Sequence, residues 1–412
     1  MAFIELPGDC LATIFDKLSA RDLANVAATC RTLLCASPAP VEDVLVMRAA
    51  KHGHAWMHEN AAIDRRIPSH GNGSHTLYLA RLEHIHGETH GSVALGEDRG
   101  FCISGCGSLV ECTFEVPWTR RDSAPTRLNQ TPLRSLVNVT ITSVATGSGF
   151  TAAVSMAGCV YTWGECRTRG VLGHGAQEVR LLPSKIRALD KHRILAVATG
   201  PDHCIAIEEV GAVWSWGLNI CGQCGHGTLD RLVEFPRIMQ LPERAHIRSA
   251  SCGDNHSLIL SSEGAIFFTG THTGTDHTES IPKVVGALLD HHIVATSAGL
   301  RHSLALSRAG VVFAWGSNSH GELGRVTQTR ENLWLAEIPM VVDGVLRVHA
   351  IAAGGNTSAA VTSDGTLVMW GCGYGPEPTQ IECGRTVSVA VKWNGTVAVG
   401  YDGSVFGWRN WR

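Results

Sequence analysis

Charge is scarce in this chain. Lysine, arginine, aspartate and glutamate make up 17% of its 412 residues, and 34 basic against 37 acidic side chains leave a formal net charge of -3. That balance supplies no overall basic field for gripping nucleic acid phosphates without sequence preference, so a nucleic acid partner is not expected. Long apolar runs are also missing. No stretch approaches the ~20 residues a membrane helix needs, and MAFIELPGDC at the start shows no basic segment followed by an apolar one. A soluble chain of the cytoplasm, the nucleus or both is expected, with no membrane partner. There the 14 cysteines stay reduced and act as small buried apolar residues, and the sequons at Asn129, Asn138, Asn255 and Asn356 are incidental. Phosphate-cradling loops, recognisable nucleophile motifs with paired His and Ser, and carboxylate pairs singled out by spacing are absent as well. Neither a catalytic residue nor a cofactor is expected.

What the chain does have is apolar residues, 44%, and glycine, 45 residues, the composition of a β-rich fold with many tight turns. Its length suits a small module joined to one large closed β-structure. Laid against itself, the chain repeats. ATGSGFTAAVSMAGCVYTWG, ATGPDHCIAIEEVGAVWSWG, SCGDNHSLILSSEGAIFFTG, SAGLRHSLALSRAGVVFAWG and AAGGNTSAAVTSDGTLVMWG share one pattern, opened by Gly147, Gly200, Gly253, Gly299 and Gly354. Eleven places on stand Gly158, Gly211, Gly264, Gly310 and Gly365, and five further on Trp163, Trp216, Trp315 and Trp370, with Thr269 in the third segment. The same spacing finds a degenerate first copy at Gly96, Gly107 and Cys112, and a last one at Lys392, Gly403 and Trp408. Seven copies result.

In each copy two short β-rich runs flank a glycine turn, the mark of a hairpin. A run before the first glycine and a proline-led run after the Trp slot raise the count to four strands, the content of one propeller blade. The proline-led runs are PTRL at 125, PSKI at 183, PRIM at 236, PKVV at 282, PMVV at 339 and PTQI at 378. Six such runs cannot complete seven blades. The seventh must borrow a strand, for which TLYLARLEHIH at 76–86 is available, and the ring is expected to close near both ends of the propeller.

Over residues 76–412 these copies resemble the repeats of the regulator of chromosome condensation, a pattern of glycine, histidine and serine, apolar strand, glycine, Trp-Gly, asparagine and a Gly-x-Leu-Gly turn. WGLNICGQCGHG and WGSNSHGELGR show its end well. The resemblance implies an all-β, seven-bladed propeller whose frame is Gly147, Gly158, Trp163, Gly200, Gly211, Trp216, Gly253, Gly264, Gly299, Gly310, Trp315, Gly354, Gly365, Trp370, Gly403 and Trp408.

Ahead of it, LPGDCLATIFDKLSARDLANVAATCRTL spaces Leu11, Ile14, Phe15 and Leu18 by three and four, one face of a helix. Ser19 and Asp22 open a second helix with Leu23, Val26 and Cys30 on one side, and VEDVLVMRAA makes a third. Amphipathicity alone specifies only a small helical bundle. The order Leu6-Pro7, Asp9, Leu11, Ile14-Phe15, Leu18, Asp22-Leu23, Val26, Cys30-Arg31 resembles an F-box, without the tryptophan often found near the third helix. Residues 1–50 are therefore expected to form a three-helix F-box-like module, with 51–75 a polar linker.

His203, His256 and His302 each follow a first glycine by three places, where Phe150, Thr357 and Arg99 stand in other copies, so they are structural. Cys221 and Cys224 form a lone C-x-x-C inside the glycine turn, too little for zinc. His84, His86 and His90 are the strongest metal candidates, against the plainer reading of ordinary strand histidines. The F-box resemblance implies the substrate receptor of an SCF-type ubiquitin ligase, joined to a Skp-type adaptor and a cullin-RING ligase. Leu6, Pro7, Leu11, Ile14, Phe15, Leu18, Leu23, Val26 and Cys30 would hold the adaptor. An unknown protein substrate would meet propeller loops such as RTRGVLGHGAQEVR and THTGTDHTES. The rival, implied by the founding member of the repeat family, is nucleotide exchange or chromatin-associated regulation of a Ran-like GTPase. A propeller scaffold with a vestigial cap is a third reading.

Overall fold

The structure, a computed structural model, describes residues 93–95, 100–103, 108–113, 126–127, 129–166, 168–175, 179–242, 245–271, 278–325, 336–392, 395–401 and 405–409. The boundaries expected at 50 and 75, the segment TLYLARLEHIH, and Gly96, Gly107 and Gly403 lie outside these residues. The described strands all fall within one compact unit, Glu88–Ile103 with Leu109–Arg412.

They form seven four-stranded antiparallel sheets. We number the blades 1 to 7 by their innermost strands, Val93–Leu95, Ile141–Thr146, Ile194–Thr199, Ile247–Cys252, Ile293–Ala298, Val348–Gly354 and Thr386–Lys392. Each innermost strand packs beside the next, and that of blade 7 packs beside that of blade 1, which closes the circuit. Blades taper toward the axis, so the innermost strands carry Ala, Ser, Thr and Cys where seven strands converge. The second strands, such as Cys204 to Ile207 in blade 3, are buried on both faces and read as unbroken apolar runs.

The hairpin glycines follow the spacing. Gly211 sits at φ 92° and Gly264 at φ 90°, in the left-handed region that a Cβ disfavours. The Trp slot is the blade core: Trp216 and Trp370 are wholly buried, Trp163, Trp315 and Trp408 nearly so, and Thr269 is wholly buried in blade 4.

Two expectations about the outer strands need correction. The prolines do not lead these strands but lie inside them, as Pro183 in Val179–Lys185 and Pro236 in Leu232–Ile238. In blade 3 the pairing jumps from Ser215↔Arg237 to Gly217↔Val233, so Pro236 falls in an irregular stretch of an edge strand, where no ladder N–H is required.

The strand that completes blade 7 is Thr126–Arg127, from PTRL, which pairs with Phe406 and Gly407. PTRL therefore does not finish the first blade. That blade ends with Asn129–Pro132, where Pro132 takes the register position of Ile238, and the Arg134–Leu136 turn follows as Arg187–Leu189 follows in blade 2. The physical reason is closure: three strands near the C-terminal end gain a fourth from before the outer strand of blade 1, which ties the two ends of the ring by hydrogen bonds.

Replacing Trp216 by Ala removes a wholly buried indole and is expected to cost about 3–5 kcal/mol in urea unfolding. The same change at half-buried Trp214, two residues away, should cost about 1 kcal/mol. Equal costs would contradict the core assignment.

Candidate functional site

The conspicuous side-chain chemistry of the described residues lies between blades. His203 Nε2 meets Ser257 Oγ of the next blade at 2.8 Å, His256 Nε2 meets Ser303 Oγ at 3.0 Å, and His302 Nε2 meets Ser358 Oγ at 2.9 Å. Ser257 donates to Gln223 O at 2.9 Å and Ser358 to Glu322 O at 2.8 Å. A hydroxyl that donates to a carbonyl must accept from the imidazole, so His203 and His302 carry their proton on Nε2. Their Nδ1 atoms are left without a donor. The ring edge lies against the first glycine: a Cβ on Gly200 would stand 2.6 Å from His203 Cε1. Glycine and histidine of one copy are thus a single steric unit.

The accepting carbonyls belong to the Gly-x-x-Gly turns, Gly170–Gly173, Gly222–Gly225 and Gly321–Gly324, each of which reaches into the following blade. Trp216 Nε1 donates to Val171 O at 2.8 Å and Trp370 Nε1 to Glu322 O at 2.8 Å, while Thr269 Oγ1 donates to Gly222 O at 2.8 Å. Where Phe150 replaces histidine, the next blade offers Cys204 in place of serine, with Sγ 3.6 Å from Val171 O. Thr357 and Thr396 stand in the same pair of slots one junction after His302 and Ser358, and Gly395 and Gly100 in the next. At these junctions the two slots change together, His with Ser, Phe with Cys, Thr with Thr and Gly with Gly. Sequence reading assigned the histidines to structure, and the signal it lacked was the partner, 54 residues away for His203.

Burial pushes His203 down to about 3, with the Lys392 ammonium as a lesser cause, and burial alone pushes His302 down to about 3. Protonating either would place an unpaired charge in the interior. Burial also pushes the thiols of Cys204 and Cys224 up and that of Cys252 up to about 12, which leaves them protonated and weakly nucleophilic.

Along the axis runs a cavity of about 140 Å³ lined by Thr146, Thr199, Ser251, Ser297, Ala352 and Lys392 among others. Lys392 stands in a first-glycine slot, and its Nζ donates across the mouth to Thr199 O at 3.2 Å. Among the described residues no group of three or more His, Cys, Asp and Glu is placed to hold a metal ion. Cys224 is buried with its Sγ toward Leu218 O, and Cys221 is half-buried. His84, His86 and His90, and the adaptor set Leu6, Pro7, Leu11, Ile14, Phe15, Leu18, Leu23, Val26 and Cys30, lie outside the described residues.

Of the two loops expected to meet a target, RTRGVLGHGAQEVR holds Val171 and Leu172 at 0% exposure, so its centre is committed to the blade junction. Most of THTGTDHTES lies outside the described residues. The sequence reading missed the rim. The outermost strands expose Leu181 and Leu182 on blade 2, Phe235 and Ile238 on blade 3, and Ile338 and Met340 on blade 5. On blade 6 the same strand exposes Glu377, Thr379 and Gln380 instead.

Seven blades locked through one repeated frame define a repeat propeller. The repeats are those of the regulator of chromosome condensation (RCC1): one model of that repeat matches residues 157–207, 210–260 and 309–361, and a second matches 194–223, 293–322 and 348–375. The ultraviolet-B receptor UVR8 of Arabidopsis thaliana is 30% identical over 282 residues, 64% of this chain and 52% of the receptor. The guanine nucleotide exchange factor SRM1 of Saccharomyces cerevisiae is 26% identical over 236 residues, 57% of this chain and 41% of that protein. The chain thus spans about half the length of these relatives. The crystal structure of human WBSCR16 superposes with a TM-score of 0.61 at 24% identity, covering 72% of this chain and 83% of that one, a likeness of fold.

Ser257→Ala leaves His203 and the Gln223 carbonyl each short of a partner and should cost about 1–3 kcal/mol. His203→Phe combined with Ser257→Cys, the pair found one junction earlier, should recover most of that loss, and additive losses would contradict pairwise matching. The unfolded chain takes up protons near 6.5 that folded His203 and His302 refuse until about 3. Stability is therefore full above 6.5 and falls as pH drops toward 3, by about 1.4 kcal/mol per pH unit for each such histidine. Urea midpoints from pH 7 to pH 4 should show this slope, reduced in the Phe/Cys variant.

Proposed function

We propose that this chain is a non-catalytic recognition protein in which the propeller holds a partner protein and residues 1–50 join it to a Skp-type adaptor, as the substrate receptor of an SCF-type ubiquitin ligase. The observation that carries the recognition half is the apolar rim. Leu181 at 77% and Leu182 at 68% exposure on blade 2 stand next to Phe235 at 55% and Ile238 at 54% on the outermost strand of the adjacent blade 3, and exposed apolar side chains gathered in one region mark interaction surfaces. The adaptor half is supported by the F-box-like order of Leu6, Pro7, Leu11, Ile14, Phe15, Leu18 and Leu23. A receptor of this kind contributes proximity. Fixing target and ubiquitin donor together removes entropic cost from the transfer, with no group on the receptor entering the chemistry.

One observation favours a second reading, exchange on a Ran-like GTPase: the similarity to the yeast exchange factor extends over 57% of this chain. Exchange requires a segment that displaces bound nucleotide, whereas a receptor requires only affinity. The two readings therefore separate by assay.

The full-length chain should form a 1:1 complex with a Skp-type adaptor on size-exclusion chromatography, and the variant Leu6→Ala, Pro7→Ala, Ile14→Ala should lose it. Absence of a complex with either protein, together with accelerated nucleotide release from a Ran-type GTPase, would replace the receptor reading by the exchange reading.

A further inference from the structure

The junction of blades 6 and 7 departs from the junctions at which a Gly-x-x-Gly turn meets the following blade. Blades 2, 3 and 5 leave the third strand through their Gly-x-x-Gly turns, and the carbonyl after the first glycine of the blade 2 and blade 5 turns accepts from the tryptophan of the following blade. Blade 6 has no such turn. Trp370 is followed by Gly371, Cys372, Gly373, Tyr374 and Gly375, and its outer-strand proline, Pro378, comes 8 positions after the tryptophan (378 − 370), against 20 in blade 3 (236 − 216).

The following blade nevertheless keeps the tryptophan that such a turn would meet. Trp408 pairs with Thr396 in the register in which Trp216 pairs with Cys204 and Trp370 with Ser358, so its indole points toward blade 6 as theirs point toward blades 2 and 5. It is 5% exposed, and its Nε1 has no acceptor among the described residues. A buried donor without a partner costs about 1–3 kcal/mol. At the complete junctions the turn also supplies an apolar side chain: Leu172 packs in one core cluster with Trp216, and Leu323 in one with Trp370. At the blade 7 cluster, half-buried Tyr374 packs instead, held between Gly373 at φ 86° and Gly375 at φ 90°. A tight turn holds the segment, with Tyr374 N–H donating to Gly371 O at 3.0 Å, so the Tyr374 side chain is the part of it that can give way by rotation.

We propose that the junction of blades 6 and 7 is a peptide-binding site that receives a glycine-containing tight turn of the partner protein, whose backbone carbonyl accepts from Trp408 Nε1 and whose apolar side chain displaces Tyr374. The partner supplies in trans what the chain supplies in cis where blade 2 meets blade 3 and blade 5 meets blade 6. This rests on the reading of the propeller as the part that holds a partner, and it names the chemistry recognised: a turn with one free carbonyl and a leucine-sized side chain, carrying no required charge.

The probe is a synthetic peptide of residues 317–325 of this chain, SNSHGELGR, titrated into the 15N-labelled full-length protein while the tryptophan indole resonances are followed. Trp408→Phe identifies the Trp408 resonance by its loss, and Thr269 in the equivalent slot of blade 4 shows that the slot accepts other residues. A saturable downfield shift of that resonance is expected. A peptide with both glycines replaced by Ala should bind at least tenfold more weakly, because Gly321 and Gly324 sit at φ 84° and 69° in the turn. The glycine control uses the unaltered protein and stands even if the Phe variant fails to fold. A Trp408 resonance that stays in place, equal binding by Trp408→Phe, or equal binding of the Ala peptide each overturns the proposal. The adaptor complex depends on residues 1–50, so failure here leaves that reading to its own assay.

Discussion

Three consecutive junctions of the ring, from blade 3 to blade 6, depend on one buried contact, the imidazole of one blade against a hydroxyl of the next. Around it the other requirements fall into place. The imidazole must remain neutral, which burial enforces by pushing His203 and His302 down to about 3. Its edge needs a residue without a side chain at Gly200, Gly253 and Gly299. The hydroxyl needs a carbonyl of its own, which Gln223 and Glu322 provide from turns that Thr269 and Trp370 of the following blades also lean on. Backbone turn, glycine, histidine, serine and tryptophan are one unit shared by two blades. An array of repeats joined only to neighbours is as strong as its weakest junction, and here Thr126–Arg127 removes the free ends by completing blade 7.

Much of this was legible because the repeat is in phase. Spacing alone located the hairpin glycines and the tryptophans, and it marked His203, His256 and His302 as structural. What spacing could not supply was the direction of contact. Ser257 lies beside His256 in sequence yet pairs with His203, because neighbouring residues on a strand face opposite sides. Replacement of His by Phe150 looks like drift until it is set beside Cys204 across the junction. The outer strands were harder to read. PTRL carries the proline that marks an outer strand, but nothing local says which of two blades it joins, and hydrogen-bond closure decides for blade 7. The apolar rim escaped notice since Leu181, Leu182 and Phe235 read as core residues until the edge position of their strands is known.

For function, the division of labour is instructive. Three histidines, several serines and three of the buried cysteines are consumed by the ring itself, so chemistry-bearing residue types are poor guides to activity in this fold. The features that differ from blade to blade are the better ones: Lys392 in a glycine slot at the axial mouth, apolar outer strands on blades 2, 3 and 5 against a polar one on blade 6, and the shortened turn before Trp408. Each breaks the repeat at a place where the remaining copies show what the unbroken form does.

The central claim, that the inter-blade contacts hold a single cooperative ring, is tested most directly by deuterium exchange of the indole N–H groups of Trp216 and Trp370, which donate to Val171 O and Glu322 O of the preceding blades. If the ring opens only as a whole, both protons exchange with the free energy of global unfolding and follow it equally across urea concentrations. Exchange of either proton at a much lower free energy, independent of urea, would mean that a junction opens by itself, and the account of the ring as one locked circuit would fail.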